Sequence, residues 1–125
     1  MGANAQFLSI VLWKKASEKE ALEKVEDLLA NEEVVELAYI AKRDKILFTN
    51  KRILIMNVQG LTGKKIDYHT IPYSKITSFS IETAGTFDLD SELKIWVSGL
   101  GGVEIKFIKG IDIKEAGKYL TNKLI

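Results

Sequence analysis

From Val34 to Ile108 apolar residues recur at every second position or gather into short runs, the period of β-strands and not of helices. Val35-Glu-Leu-Ala-Tyr-Ile40 alternates. Ile46-Leu-Phe48 and Ile53-Leu-Ile-Met56 are compact apolar runs, set apart by the turn-prone Arg43-Asp44 and Asn50-Lys51. Further on, Ile66 and Tyr68 alternate with Asp67 and His69, Phe79 and Ile81 with Ser80 and Glu82, and Leu93, Ile95 and Val97 with Lys94, Trp96 and Ser98. Val103, Ile105 and Phe107 alternate with Glu104 and Lys106 and complete about seven strands. With no helical pattern between them, neighbouring strands must run antiparallel. Pro72 falls at a strand boundary, where no ladder N–H is needed.

Two amphipathic segments flank this region. Ser17 and Glu20 make an S-x-x-E capping box, with Leu22, Val25, Leu28 and Leu29 on one face, so the pattern predicts a helix from Ser17 to about Ala30 with Asn31 as its left-handed stop. Asp112 is placed to cap a final helix with Ile113, Ala116, Leu120 and Leu124 facing inward, over one mouth of the strand assembly. The change of period divides the chain into an N-terminal helical segment, residues 1–31, and a mostly β unit, residues 32–125.

A chain of 125 residues, 46% hydrophobic and 28% charged with a single proline, suits one domain that folds throughout. A net charge of +1 leaves no global excess to draw nucleic acid or anionic lipid, so no nucleic-acid partner is expected. The absence of cysteine removes disulfides and thiolate chemistry and fits a reducing compartment, with the cytoplasm as the expected location. Phe7-Leu-Ser-Ile-Val-Leu-Trp13 is too short to span a bilayer, and Lys14 and Lys15 follow it where a signal peptide would carry charge before it. Gln6 stands where an N-myristoylation signal needs Ser or Thr. This apolar run could still lie on a membrane or on a partner subunit.

Candidate chemistry is sparse. Gln59-Gly-Leu-Thr-Gly-Lys-Lys65 puts two residues between its glycines where a phosphate-binding loop needs four, and Lys65 replaces the required hydroxyl. Lying between two strands, it is a turn whose glycines supply positive φ. Asp88-Leu-Asp-Ser-Glu92 opens like a calcium loop, but Leu93 and Gly99 occupy the positions of its Gly and Glu, so no metal is expected. His69 is the sole histidine, with no nucleophile at base spacing; neither an enzyme nor a cofactor follows from it. Thr49 and Asn50 suit turn-organising hydrogen bonds. Trp96 is out of phase with its buried neighbours, which points its ring to the outer sheet face, where tryptophan commonly marks an interface.

Arg43-Asp44, Phe48-Thr-Asn-Lys-Arg52, Gln59 to Lys65, Ile71-Pro-Tyr73, Phe79 to Gly85 and Phe87 to Trp96 together resemble the bacterial pleckstrin-homology-like domain family, over about Glu33 to Ser98. The resemblance implies a PH-like barrel of two near-orthogonal antiparallel sheets with a C-terminal helix plugging one corner. It also implies a non-enzymatic scaffold assembled as a cyclic homo-oligomer, with a pentamer expected, through sheet edges that would otherwise stay unpaired. By the same resemblance, Glu82, Thr83, Asp88, Asp90, Glu92 and Lys94, joined by the outward Trp96, are the candidate residues for contact with neighbouring subunits and an unidentified protein partner. The alternative is a peripheral membrane module in which Lys42, Arg43, Lys45, Lys51 and Arg52 hold an anionic lipid head group, as basic residues near the first hairpin of eukaryotic PH domains do; strand-end lysines equally supply solubility and edge protection.

Overall fold

The computed structural model describes residues 12–125. The start of the chain, including the Phe7 to Val11 portion of the apolar run, lies outside the described residues. The first sheet has the order β1-β2-β3-β4-β5, with β1 at Lys14–Lys15, β2 at Val35–Ala41, β3 at Asp44–Thr49, β4 at Arg52–Gln59 and β5 at Lys65–Pro72. The second comprises β6 at Ile76–Glu82, β7 at Ser91–Val97 and β8 at Gly101–Phe107, in that order. Every pairing between named strands is antiparallel, and helices α1 (Glu18–Leu22) and α2 (Ile113–Leu124) complete the fold. The short strand β1 is the one that periodicity did not predict.

The apolar runs of β3 and β4 are buried on both faces, which is why they do not alternate. Ile46, Phe48, Ile53 and Ile55 join the main core between the sheets with Tyr39, Leu93, Ile95, Ile105, Phe107 and Leu120. Leu47, Leu54 and Met56 point the other way, into a second core closed by Ala21 and Val25 of the N-terminal segment. That segment therefore covers the back of the first sheet. Just before it, the Trp13 N–H donates to the Lys106 carbonyl at 2.8 Å and the Trp13 carbonyl accepts from the Ile108 N–H at 2.9 Å, a parallel bridge to β8. Lys14 and Lys15 then pair with β2, so three consecutive residues tie one sheet to the other. Trp13 itself is wholly buried in the main core, which removes its ring from the membrane contact considered above.

The predicted long helix is broken. The Ser17 and Glu20 capping box forms as expected, with bonds of 3.1 and 2.9 Å, but α1 ends at Leu22 and Lys24 turns left-handed at φ 66°. The cause lies on the sheet below: the Lys45 ammonium donates to the carbonyls of Glu20 and Glu23, and the Tyr68 hydroxyl donates to that of Lys24 at 2.7 Å. Carbonyls that a longer helix would have used internally are taken by tertiary donors, and the turn drops Val25 into the second core. The left-handed residue near the segment's end is Glu32, at φ 62°, not Asn31; its carbonyl accepts from Asn50 Nδ2. At α2 the Asp112 side chain makes no capping bond, and only its carbonyl accepts from Glu115 N–H, at 3.2 Å. The inward face of α2 is as predicted, and Gly117 allows close approach: a Cβ there would lie 3.0 Å from Ile81 Cδ1. Gly60 and Gly63, at φ 72° and 69°, turn β4 into β5 as the strand pattern requires.

Candidate functional site

The outer face of the second sheet is built by simple alternation. On β7, Leu93, Ile95 and Val97 enter the core while Glu92, Lys94 and Trp96 point outward. Cross-strand register sets them in three rows: Glu82, Glu92 and Lys106; Ser80, Lys94 and Glu104; Ser78, Trp96 and Gly102. Opposed carboxylates at Glu82 and Glu92 repel each other. Lys94 relieves that repulsion, with its Nζ 4.0 Å from Glu92 and 3.7 Å from Glu104. Trp96 remains 41% exposed on the middle strand, and Gly102 beside it offers no side chain to cover the indole.

Six of the seven candidate contact residues border this face or its adjoining loop with exposed or partly exposed side chains: Glu82, Thr83, Asp88, Asp90, Lys94 and Trp96. Glu92 departs from the expectation of a free surface carboxylate, being only 9% exposed, because it sits between the flanking strands of a sheet and beside Lys94. Asp88 shapes its own loop: its Oδ1 accepts from the Asp90 N–H at 3.1 Å and its carbonyl from the Gly85 N–H at 2.6 Å. Phe87, fully exposed in that loop, was missed because a lone aromatic in a turn carries no periodic signal.

The basic residues do not converge. Lys42 and Arg43 turn β2 into β3, whereas Lys51 and Arg52 lie at the opposite end of β3, about 20 Å away along a strand of this length. Lys45, expected at the surface, is buried beneath α1 and spent on its carbonyls; burial, the largest influence, pushes its pKa down. Arg52 is likewise engaged: Nε lies 2.9 Å and Nη2 3.1 Å from the two Glu33 oxygens, while Nη2 also donates to Leu28 and Nη1 to Thr70. Arg43 Nη1 donates to the Gly60 carbonyl at 2.8 Å, joining two hairpin tips. Thr49 organises the intervening turn as expected, its Oγ1 accepting from Lys51 N–H and Arg52 N–H, whereas the Asn50 side chain ties that turn to the chain entering β2, its Oδ1 accepting from Val34 N–H and its Nδ2 donating to the Glu32 carbonyl.

A second polar cluster, absent from the sequence-based expectations, fastens α2 to the first sheet. The Tyr119 hydroxyl donates to Glu36 Oε1 at 2.6 Å, Tyr73 donates to the Thr49 carbonyl at 2.7 Å, and the two hydroxyls stand 3.3 Å apart. Lys123 Nζ is 3.0 Å from Glu36 and lies over both rings. Burial raises the Tyr73 pKa to about 12, and burial with the Glu36 hydrogen bond raises that of Tyr119. Both phenols are therefore held as neutral donors, suited to fastening and not to proton abstraction. His69 lies on β5 opposite Ile55. Among the described residues no group of three His, Asp or Glu gathers as a metal site, and no helix is long and apolar enough to cross a membrane.

Comparison with known proteins matches this architecture. The profile of the bacterial PH domain family matches residues 7–124. The uncharacterized protein YjqA of Bacillus subtilis (strain 168) is 48% identical over 101 residues, 79% of this chain and 81% of that one. The crystal structure of a DUF1696 family protein with a pleckstrin-homology domain from Shewanella loihica PV-4 superposes with a TM-score of 0.79 at 38% identity, covering 91% of this chain and 98% of that one. A pleckstrin homology domain from Shewanella amazonensis SB2B gives a TM-score of 0.67 at 37% identity, over 88% of this chain and 90% of that one. With a match across nearly its whole length, two packed antiparallel sheets and a C-terminal helix, the chain belongs to the bacterial PH domain family.

Proposed function

We propose that the protein is a non-enzymatic scaffold: a cyclic homo-oligomer, with a pentamer expected, in which the outer face of the second sheet meets a neighbouring copy and a polar surface beside it recruits a further protein. The observation that carries this is Trp96, a half-exposed indole on the central strand of a sheet face otherwise made of charged residues, serines and a glycine, with Gly102 leaving its flank bare. Buried aromatic anchors ringed by polar residues are the usual energetic centre of protein interfaces. The outer strands β5 and β6 supply sheet edges for strand-to-strand contact or for an added peptide strand. Static light scattering across a range of protein concentrations tests the assembly. A single species of several times the 14.0 kDa chain mass is expected, and a monomer at every concentration would refute it.

Leu61 favours a second reading. It stands fully exposed at the tip of the β4–β5 turn, followed by Lys64 and Lys65 and near the Lys42-Arg43 turn through the Arg43 tie to Gly60. An apolar tip with lysines behind it suits insertion at an anionic membrane surface. Co-sedimentation with phosphatidylserine vesicles that weakens as salt rises and is lost in Leu61→Asp would support it; equal sedimentation with neutral vesicles would not.

A further inference from the structure

The loop that joins β6 to β7, from Thr83 to Asp90, carries a large aromatic side chain with no cover. The Gly85 N–H donates to the Asp88 carbonyl at 2.6 Å and the Asp90 N–H to Asp88 Oδ1 at 3.1 Å, so the turn is closed on itself with Thr86 and Phe87 at its tip. Phe87 is 99% exposed and Leu89 43% exposed, and the two alternate with Asp88 and Asp90. A tip already held in shape gives up little freedom when it binds. Its complement lies on the first sheet, where a cleft of about 490 Å3 opens between the left-handed Lys24 and the turns β2–β3 and β4–β5. Met56 and Val58 give the cleft an apolar side, and Leu61 stands wholly in solvent at its edge. Lys24, Lys42 and Arg43 are exposed around it. The carboxylates that border it are engaged within the chain: Glu20 Oε1 accepts from the Ser17 N–H, the two Asp44 oxygens accept from Asn57 Nδ2 and the Val58 N–H, and Glu23 lies near the Lys45 ammonium.

We propose that the β6–β7 loop of one copy docks in this cleft of the next, with Phe87 covering Leu61 and the apolar side while Asp88 and Asp90 face Lys24, Lys42 and Arg43. Both halves of the match are present on one chain: an acidic tip and a basic rim, each with a large apolar side chain left in water. That complementarity makes a second copy the occupant. Because two different surfaces meet, the contact runs head to tail, the arrangement that can close into a ring. The inference deepens the self-association proposed above and rests on it. Covered in this way, Leu61 is withdrawn from any bilayer.

Two substitutions in the full chain test this, Phe87→Ser for the loop and Leu61→Glu for the cleft. Both side chains are wholly exposed, so neither change disturbs the core. Each alone is expected to weaken association about tenfold or more in sedimentation velocity. Mixing the two variants then isolates a single contact, since the Phe87→Ser copy keeps an intact cleft and the Leu61→Glu copy an intact loop. Adding unlabelled Leu61→Glu to isotope-labelled Phe87→Ser should shift the amide signals of Lys24, Lys42 and Met56 and leave residues 83–90 in place. With the labels exchanged, residues 83–90 should shift and the cleft should not. A wild-type oligomer that survives Phe87→Ser, or a mixture in which the cleft signals stay still, would overturn the docking while leaving the assembly standing. A wild-type chain that is monomeric at every concentration would overturn both.

Discussion

At Glu33, burial opposes the charged carboxylate, yet hydrogen bonds from Arg52, Thr49 and the Ala30 N–H outweigh it and hold the pKa at about 2, against 4.5 for a free glutamate. A carboxyl whose folded pKa is depressed adds stability that is present above its unfolded pKa and lost as pH falls through the folded one. The shift corresponds to about 3 kcal/mol at neutral pH. Glu36, lowered first by its hydrogen bond from Tyr119 and then by that from Lys123, acts in the same direction. Urea midpoints of the native protein should therefore drop between pH 4.5 and 2, while Glu33→Gln should start lower at neutral pH and decline less over that window. An unaltered acid profile in the variant would show that Glu33 is not the group responsible. None of this was legible in sequence. Glu33 and Arg52 are nineteen positions apart, and nothing in their types distinguishes a buried pair from two solvated charges.

Strand existence was readable because it depends on local period, and the turns at Thr49 and at Gly60 to Gly63 were readable because their chemistry is local, whereas the Asn50 side chain reaches Val34 and Glu32 across the fold. The length of α1 was not. Its helical period continues past Leu22 in the sequence, but Lys45 and Tyr68, which end the helix, reach it across the sheet from β3 and β5. Lys45→Met should leave both sheets intact and release α1 from the second core. Loss of about 1.5–3 kcal/mol of global stability is expected, as for hydrogen bonds to a charged donor. Amides of residues 18–25 should exchange faster while those of β7 hold. Uniform acceleration along the chain would mean that Lys45 supports the whole barrel instead.

For the molecule as a whole, the candidate face was legible from the phase of β7 alone, which correctly turned Trp96 outward. Glu92 was misjudged because alternation predicts a side and not an exposure. If Trp96 anchors an interface between copies, Trp96→Glu should split the oligomer into subunits with an unchanged circular dichroism spectrum, and sedimentation velocity would read the change. An assembly of unaltered mass would move the contact elsewhere.

Strand β4, greasy on both sides, has a consequence for folding fidelity. Sliding it by one residue would still bury an aliphatic side chain in each core, so hydrophobicity cannot tell the right alignment from the wrong one. The choice falls to polar locks at its two ends: Arg52 on Glu33 at the start, and the Asp44 carboxylate, which accepts from Asn57 Nδ2 at 3.1 Å and from the Val58 N–H at 2.9 Å, near the finish. Like a key cut at both ends of a smooth shaft, these few charged and amide groups select one setting from several that oil alone would accept.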